Sequence, residues 1–296
     1  MKTIRKKLCG LALVMLASLA ATVKAQNIYV SSWGNGAVGE YTASGSTVNA
    51  NLISGFANPQ GMAISGGNLY VVDSNVNGIG SVGEYTASGT AVQTPLISGL
   101  SDPDNIAISG GFIYLANYFA NTISKYTISG TLVNASFISG LSNPQGMVIS
   151  EGNLFVVNQG TGTIDEYSTL GTPIHKSLIS GLSAPYGLAI LGNSLFVGNY
   201  SGNTIGKYTL DGTTVNASLI SGLNNPQGIA IFGSDLFVVN TGSSTIGEYL
   251  PDGTTVNADL LSGLNSPYGI AVVPEPSVVA LMGSGVVALG LWRRRK

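Results

Sequence analysis

A unit of about 41 residues recurs six times in this chain, and this repeat limits the possible folds more than any other feature. An aromatic residue flanked by apolar residues marks each copy, and the intervals between these aromatics are 41, 44, 41, 41 and 41 residues. The extra three residues of the second copy fall in the Asn75–Gly80 loop. The marker aromatics are Tyr29, Tyr70, Tyr114, Phe155, Phe196 and Phe237.

Each copy contains four short strand-like runs, separated by Gly, Asn, Asp and Ser. In the third run of the first copy, Val38 and Tyr41 are three residues apart and therefore point to opposite faces of a strand. A blade packed between two other blades needs large apolar groups on both faces. We therefore predict an all-β, six-bladed β-propeller with four-stranded blades. The runs of the second copy are Gly61–Ser65, Leu69–Asp73, Ser81–Thr86 and Thr94–Ile97.

The repeats also predict how the ring closes. The chain enters the repeats at a second run, Ile28–Ser31, and leaves them with a first run, Gly269–Val273. Pairing these N- and C-terminal strands completes one blade and leaves no unpaired inner edge. The propeller is expected to span residues 26–273.

The repeat pattern resembles that of NHL-type six-bladed propellers. It reads Pro-x-Gly-apolar-Ala-apolar followed by apolar-aromatic-Val-x-Asn, as in Gly228–Ile231 and Leu236–Asn240. The resemblance covers about residues 27–273. It implies the architecture but not the function, because this fold carries enzymes, binding proteins and scaffolds.

The N-terminus is typical of a secretory signal peptide. Lys and Arg residues precede an apolar run from Leu8 to about Val23, and Val23-Lys24-Ala25 provides a cleavage site before Gln26. Residues 1–25 are therefore interpreted as a leader, with an uncleaved membrane anchor as the alternative. The single cysteine, Cys9, lies in this segment.

The C-terminus, residues 274–296, combines three features in order. Pro274, Glu275 and Pro276 precede the apolar stretch Ser277–Trp292, which is short for a transmembrane helix. A basic cluster at the end favours a cytoplasmic location for this terminus, and an ordinary tail anchor is the alternative. The cluster consists of Arg293, Arg294, Arg295 and Lys296.

This order resembles the PEP-CTERM sorting signal. The resemblance implies export through the inner membrane of a Gram-negative bacterium that makes extracellular polysaccharide, with an exosortase-type processing enzyme and the export machinery as partners. It also implies membrane contact through the tail and a final location at the cell surface, the outer membrane or the extracellular matrix.

The charge distribution narrows the choice of partners. Residues 27–273 hold three lysines and thirteen carboxylates, a net charge of −10, and they contain no arginine. An acidic body repels phosphate backbones, so nucleic acid is excluded as an expected partner. The single histidine, His175, lies in an outer fourth run and is expected to be an exposed surface residue, which leaves no Ser-His-Asp arrangement.

Four polar residues depart from the repeat and form a candidate metal site, which we assign to the second blade. Carboxylate and amide oxygens of this kind suit a hard divalent cation such as calcium. The alternative is that Asp and Asn side chains cap turns. The four candidates are Asp73, Asp102, Asp104 and Asn105.

Aromatic and amide side chains mark a candidate binding face. Because chain direction alternates from run to run, the loops entering first runs and leaving second runs share one face of the disc. Aromatics beside amides stack on sugar rings or anchor a protein partner, and packing between blades is the alternative. The predicted face consists of Trp33, Tyr118, Tyr186, Tyr200 and Tyr268 with Gln60, Gln145 and Gln227.

These observations favour an exported, non-enzymatic binding or scaffold protein of the cell surface or extracellular matrix, with extracellular polysaccharide or a surface protein as its ligand. Some six-bladed propellers are metal-dependent enzymes of the gluconolactonase-like and virginiamycin-lyase-like kinds. The alternative is therefore a metal-dependent lyase or lactonase with its site near the second blade.

Overall fold

The computed structural model describes residues 27–74 and 79–273. The first blade contains β1 (Asn27–Ser32), β2 (Ala37–Thr42) and β3 (Thr47–Ser54). The second contains β4 (Pro59–Ser65), β5 (Asn68–Asp73), β6 (Gly80–Thr86) and β7 (Ala91–Leu100). The third contains β8 (Pro103–Ser109), β9 (Phe112–Asn117), β10 (Thr122–Thr127) and β11 (Leu132–Ile138).

The remaining blades repeat this order. The fourth contains β12 (Pro144–Ser150), β13 (Asn153–Asn158), β14 (Thr163–Ser168) and β15 (Pro173–Ile179). The fifth contains β16 (Pro185–Leu191), β17 (Ser194–Asn199), β18 (Thr204–Thr209) and β19 (Thr214–Ile220). The sixth contains β20 (Pro226–Phe232), β21 (Asp235–Asn240), β22 (Thr245–Tyr249) and β23 (Thr255–Leu261).

The last strand, β24 (Pro267–Val272), joins the first blade and closes the ring. It pairs antiparallel with β1, with Ile28 opposite Val272 and Val30 opposite Ile270. The predicted six-bladed architecture and the predicted closure are both confirmed. The predicted leader (1–25) and sorting tail (274–296) lie outside the described residues, and none of the described residues forms a helix able to span a membrane.

The apolar core consists of six clusters, one between each pair of neighbouring blades. Val38 packs against the second blade beside Met62, whereas Tyr41 packs against the sixth blade beside Phe237. The two side chains therefore leave opposite faces of β2, as the three-residue spacing predicts. Each blade contributes apolar groups to two clusters, which ties the whole ring together.

The inner strands meet around a central channel, and glycines allow them to come close. A Cβ at Gly146 would overlap the backbone oxygen of Tyr186, and one at Gly187 would overlap that of Gln227. Gly61, Gly228 and Gly269 occupy the same position in three other blades, and Asn105 occupies it in the third. The Pro-x-Gly motif is thus required by contacts between blades.

The outer strands are longer than the sequence predicts: β7 spans Ala91–Leu100 rather than Thr94–Ile97. Most of their residues are exposed, and bulges interrupt their pairing with the third strands. In β19, Asn216 Oδ1 accepts the backbone N–H of Ser218 at 3.0 Å, and β3, β11 and β23 repeat this contact. Bulges in the outer strands limit pairing between the edge strands of different molecules.

Candidate functional site

Two sets of loops form one face of the disc around the channel, one set following the second strands and the other preceding the inner strands. The residue after each second strand donates its backbone N–H to the carbonyl oxygen of the residue before an inner-strand proline, at 3.0–3.3 Å. Two sets of loops therefore lie side by side on this face, which we call the upper face. The donors are Trp33, Ser74, Tyr118, Gln159, Tyr200 and Thr241.

The channel contains a cavity of about 110 Å³ below the upper face. Its upper wall consists of the side chains that follow the inner-strand prolines, its middle consists of the glycine positions, and its floor is an apolar ring. The upper wall contains Asp104, Gln145, Tyr186, Gln227 and Tyr268. The floor contains Met62, Ile106, Met147, Leu188, Ile229 and Ile270.

Tyr268 connects blades that are distant in sequence and in the ring. Its hydroxyl donates a hydrogen bond to Asp104 Oδ1 at 2.6 Å and lies 3.3 Å from Gln145 Oε1. In the opposite orientation of its amide, Gln145 turns its nitrogen to the Asp104 carboxylate. The side chain of Tyr268 thus reaches from the first blade to the third and fourth and narrows the mouth of the channel.

Three tyrosine rings pack together beside this contact. The ring centroid of Tyr186 lies 5.0 Å from that of Tyr200 and 6.4 Å from that of Tyr268, the second pair edge to face. The hydroxyl of Tyr118, whose ionisation is influenced by the nearby Asp104, donates to Gln159 Oε1 at 3.1 Å. We call Asp104, Tyr118, Tyr186, Tyr200 and Tyr268 the tyrosine mouth.

The other predicted face residues occupy different surroundings. Trp33 lies on the upper face with 48% of its surface exposed, and no ring contact of its side chain is found in the described part of the chain. Gln227 is buried, and its Oε1 accepts the hydroxyl of Thr241 at 2.5 Å. Gln60 Oε1 is buried and has no hydrogen-bond partner among the described residues.

Burial controls the ionisation of this site. It raises the pKa of Asp104 to about 7; the hydrogen bond from Tyr268 opposes this increase, and the Asp102 carboxylate adds to it. Burial, with Asp104 nearby, also raises the pKa of Tyr186 to about 12 and that of Tyr268 well above its ordinary value. The tyrosines are therefore neutral hydroxyl donors at physiological pH, and Asp104 titrates near neutrality.

The four metal-site candidates are directed to separate partners. Asp73 accepts the backbone N–H groups of Ala57 and Asn58 at 3.2 and 2.7 Å, which is the turn-capping role. Asp102 accepts the hydroxyl of Ser74 at 2.5 Å, and Asn105 Oδ1 accepts the N–H of Ile106 at 2.8 Å. In residues 27–74 and 79–273, no group of three or more His, Cys, Asp or Glu side chains is arranged to hold a metal ion. The calcium site stays a prediction.

The assignment of all four candidates to the second blade is wrong. Asp73 ends β5 of the second blade, but Asp102 precedes β8, and Asp104 and Asn105 lie in it, which places all three in the third blade. The blade boundary falls in the loop before the inner-strand proline, so residues next to Pro103 belong to the following blade.

Three residues of the upper face are missing from the sequence-based prediction, Ser74, Gln159 and Thr241. All three occupy the repeat position of Trp33, Tyr118 and Tyr200, so an alignment of the six copies would have identified them. His175, by contrast, is exposed on β15 at the rim, where its Nδ1 lies 2.7 Å from Glu166 Oε2.

Comparison with known proteins identifies the tail and the fold. Residues 272–296 match the PEP-CTERM protein-sorting motif, which indicates export and surface association in Gram-negative bacteria and implies processing by exosortase-type machinery. The fold and this motif together define an exported six-bladed propeller protein. A search of curated proteins finds no relative of similar sequence.

Solved structures share the propeller fold at low sequence identity. A chain of the nidogen/laminin complex is 17% identical, with a TM-score of 0.73, over 83% of this chain and 98% of that chain. The streptogramin B lyase structure is 19% identical, with a TM-score of 0.56, over 82% of this chain and 76% of that chain. At these identities the similarity establishes the architecture and leaves the function to the site.

Proposed function

We propose that this protein is a non-enzymatic binding protein of the cell surface or extracellular matrix, and that the upper face of the propeller holds its ligand. The observation that carries the proposal is the tyrosine mouth. Four tyrosines from three blades and one buried carboxylate converge at one end of the channel.

The chemistry of this face supports binding. Tyrosine provides a large apolar ring and a hydroxyl, a combination that is common where proteins bind ligands. The repeat varies most at this face: equivalent loop positions hold Trp, Ser, Tyr, Gln and Thr, whereas the strands below keep one pattern. Loops on a rigid scaffold are where binding residues commonly lie.

The sorting signal supports a partner outside the cell. An extracellular polysaccharide or a surface protein is the ligand class that fits this location and the aromatic upper face. We also propose the division of the chain into a leader (1–25), a propeller (26–273) and a sorting tail (274–296).

A binding screen with a matched pair of variants tests this proposal. The full-length chain, purified in mild detergent, is assayed against polysaccharide fractions and surface proteins of the producing cell. Trp33→Ala combined with Tyr200→Ala should weaken binding at least several-fold and leave the melting temperature nearly unchanged, because Trp33 is half-exposed and Tyr200 is only partly buried.

The control is Leu170→Ala, which removes a side chain that is 83% exposed in the loop between β14 and β15, on the opposite face. It should leave binding unchanged. A large loss of stability in the double variant with unaltered binding would show that these aromatics serve packing only.

A further inference from the structure

The cavity below the tyrosine mouth changes polarity along its depth. Its upper wall presents a carboxylate, tyrosine hydroxyls and two amides, and its floor is the ring of six aliphatic and methionine side chains. The floor residues are each more than nine-tenths buried, and each also belongs to one of the apolar clusters between blades. A ligand that fills this cavity therefore needs a polar end and a compact apolar end.

No positive charge of the described residues neutralises this upper wall. The three lysines lie in third or outer strands, away from the channel. Lys125 Nζ donates to Thr169 O at 3.2 Å, and Lys207 Nζ donates to Pro251 O at 2.9 Å. Lys176 Nζ lies 3.0 Å from Asp165 Oδ2 in the fourth blade. Asp104 consequently has only hydrogen-bond donors as partners.

We propose that this cavity binds the ammonium group of a small organic ligand, with Asp104 as its counter-ion. The rings of Tyr186 and Tyr268 line the same cavity and attract a cation through their negative faces. The alkyl part of the ligand contacts the floor, where Met62 and Met147 adapt to irregular shapes. The inference rests on the proposed function, because it assigns a ligand chemistry to the same mouth.

The donor set favours an ammonium ion over a hydrated metal cation. A calcium ion takes six to eight oxygen ligands, several of them commonly carboxylates, whereas this cavity offers one carboxylate. Its remaining lining consists of three amides, two tyrosines, five glycines and six aliphatic or methionine side chains, none of which carries a charge. A cavity of about 110 Å³ has room for a compact substituted ammonium group.

Ligand binding is expected to depend on pH through Asp104. The titratable groups that face it are Asp102 and the hydroxyls of Tyr118, Tyr186 and Tyr268. The tyrosines stay protonated near neutrality, so the carboxyl of Asp104 is the group that changes charge there. Because the cation favours the ionised carboxylate, affinity should fall about tenfold per pH unit below pH 7 and level off above it.

The test compares choline with its neutral carbon isostere, 3,3-dimethylbutan-1-ol, by calorimetry on the full-length chain at pH 8. Choline should bind about tenfold more tightly than the isostere. Glucosamine compared with glucose distinguishes an amine on a sugar from an alkylammonium ligand. Equal binding of choline and its isostere would overturn the ammonium inference and leave the proposed upper-face function intact.

Two variants test whether the Asp104 carboxylate is the group that binds the ammonium ion. Asp104→Asn keeps the shape of the side chain and should reduce choline affinity at least tenfold. The neutral isostere should bind to this variant as before, which shows that the cavity is still folded. The control Asp235→Asn removes one charge from the start of β21, where the second and fourth blades already carry Asn68 and Asn153. It should leave choline binding unchanged. Choline binding that is insensitive both to Asp104→Asn and to pH would overturn the assignment.

Discussion

Gly187 and Gly198 lie in neighbouring strands of the fifth blade, but their surroundings leave different space for a side chain. A Cβ at Gly187 would overlap the backbone oxygen of Gln227 in the next inner strand, whereas one at Gly198 would lie 3.5 Å from Ile229. We expect Gly187→Ala to destabilise the fold by about 1–3 kcal/mol, because backbone cannot move aside. Gly198→Ala should change stability by less than about 1 kcal/mol. Urea unfolding measures both, and equal midpoints would contradict the close packing of the ring.

Asp104 should also make the stability of the fold depend on pH. Its folded pKa of about 7 lies above that of an unfolded aspartate, so the folded state retains the proton between pH 4 and 7 while the unfolded state loses it. Stability should therefore fall as pH rises through this window, by on the order of 2–4 kcal/mol.

Asp104→Asn should remove this pH dependence, giving a protein that matches the natural chain near pH 4 and is more stable than it at pH 8. Urea unfolding from pH 4 to pH 8 checks this. If both proteins show the same pH profile, Asp104 does not titrate in this window.

Among structural elements, the outer half of the fourth blade differs from its counterparts. Asp165 is buried on β14 at a position that holds glycine in the first, second, fifth and sixth blades. Lys176 Nζ at 3.0 Å, the N–H of Ser177 at 2.8 Å and the hydroxyl of Tyr167 at 3.1 Å satisfy this carboxylate. The strand pair β14–β15 therefore carries a matched polar network in place of the Gly–Ala pair of the first, fifth and sixth blades.

This network predicts a non-additive pair of substitutions. Lys176→Ala removes one hydrogen-bond partner of the buried Asp165 and should lower the free energy of unfolding by about 1–3 kcal/mol. The loss is smaller than for a fully buried ion pair because Lys176 is half-exposed. Asp165→Gly combined with Lys176→Ala restores the residues of the fifth blade, Gly206 and Ala217, and should recover most of that loss. A double variant as unstable as Lys176→Ala would show that the two residues are not coupled.

For the whole molecule, closure of the ring through β24 predicts where the chain can be shortened. Removal of residues 274–296 deletes no described strand and should leave a folded propeller that melts in one transition at the temperature of the full-length chain. Removal from residue 267 onward also deletes β24 and exposes the inner edge of β1.

The shorter protein should melt at a markedly lower temperature or aggregate, because an open inner strand edge pairs with other chains. Circular dichroism and light scattering compare the two truncations. Equal melting temperatures would show that β24 contributes nothing to closure.

The architecture of this protein follows from the repeats in its sequence. The number of blades, the four strands of each and the pairing of the last strand with Ile28–Ser31 follow from a period of 41 residues, because every copy repeats the same local pattern of strands and turns. The faces of β2 follow likewise from the alternation of side chains along a strand.

Which side chains meet at the channel depends on how the blades are arranged in space. Tyr268 and Asp104 are separated by 164 residues, and no local pattern specifies that contact. The partners of Asp73 and Asp102, and the place of Asp102–Asn105 in the third blade, also depended on where each loop joins the ring. The physical reason is that a propeller brings distant strands to one axis, where contacts depend on side-chain direction and blade spacing rather than on neighbours in sequence.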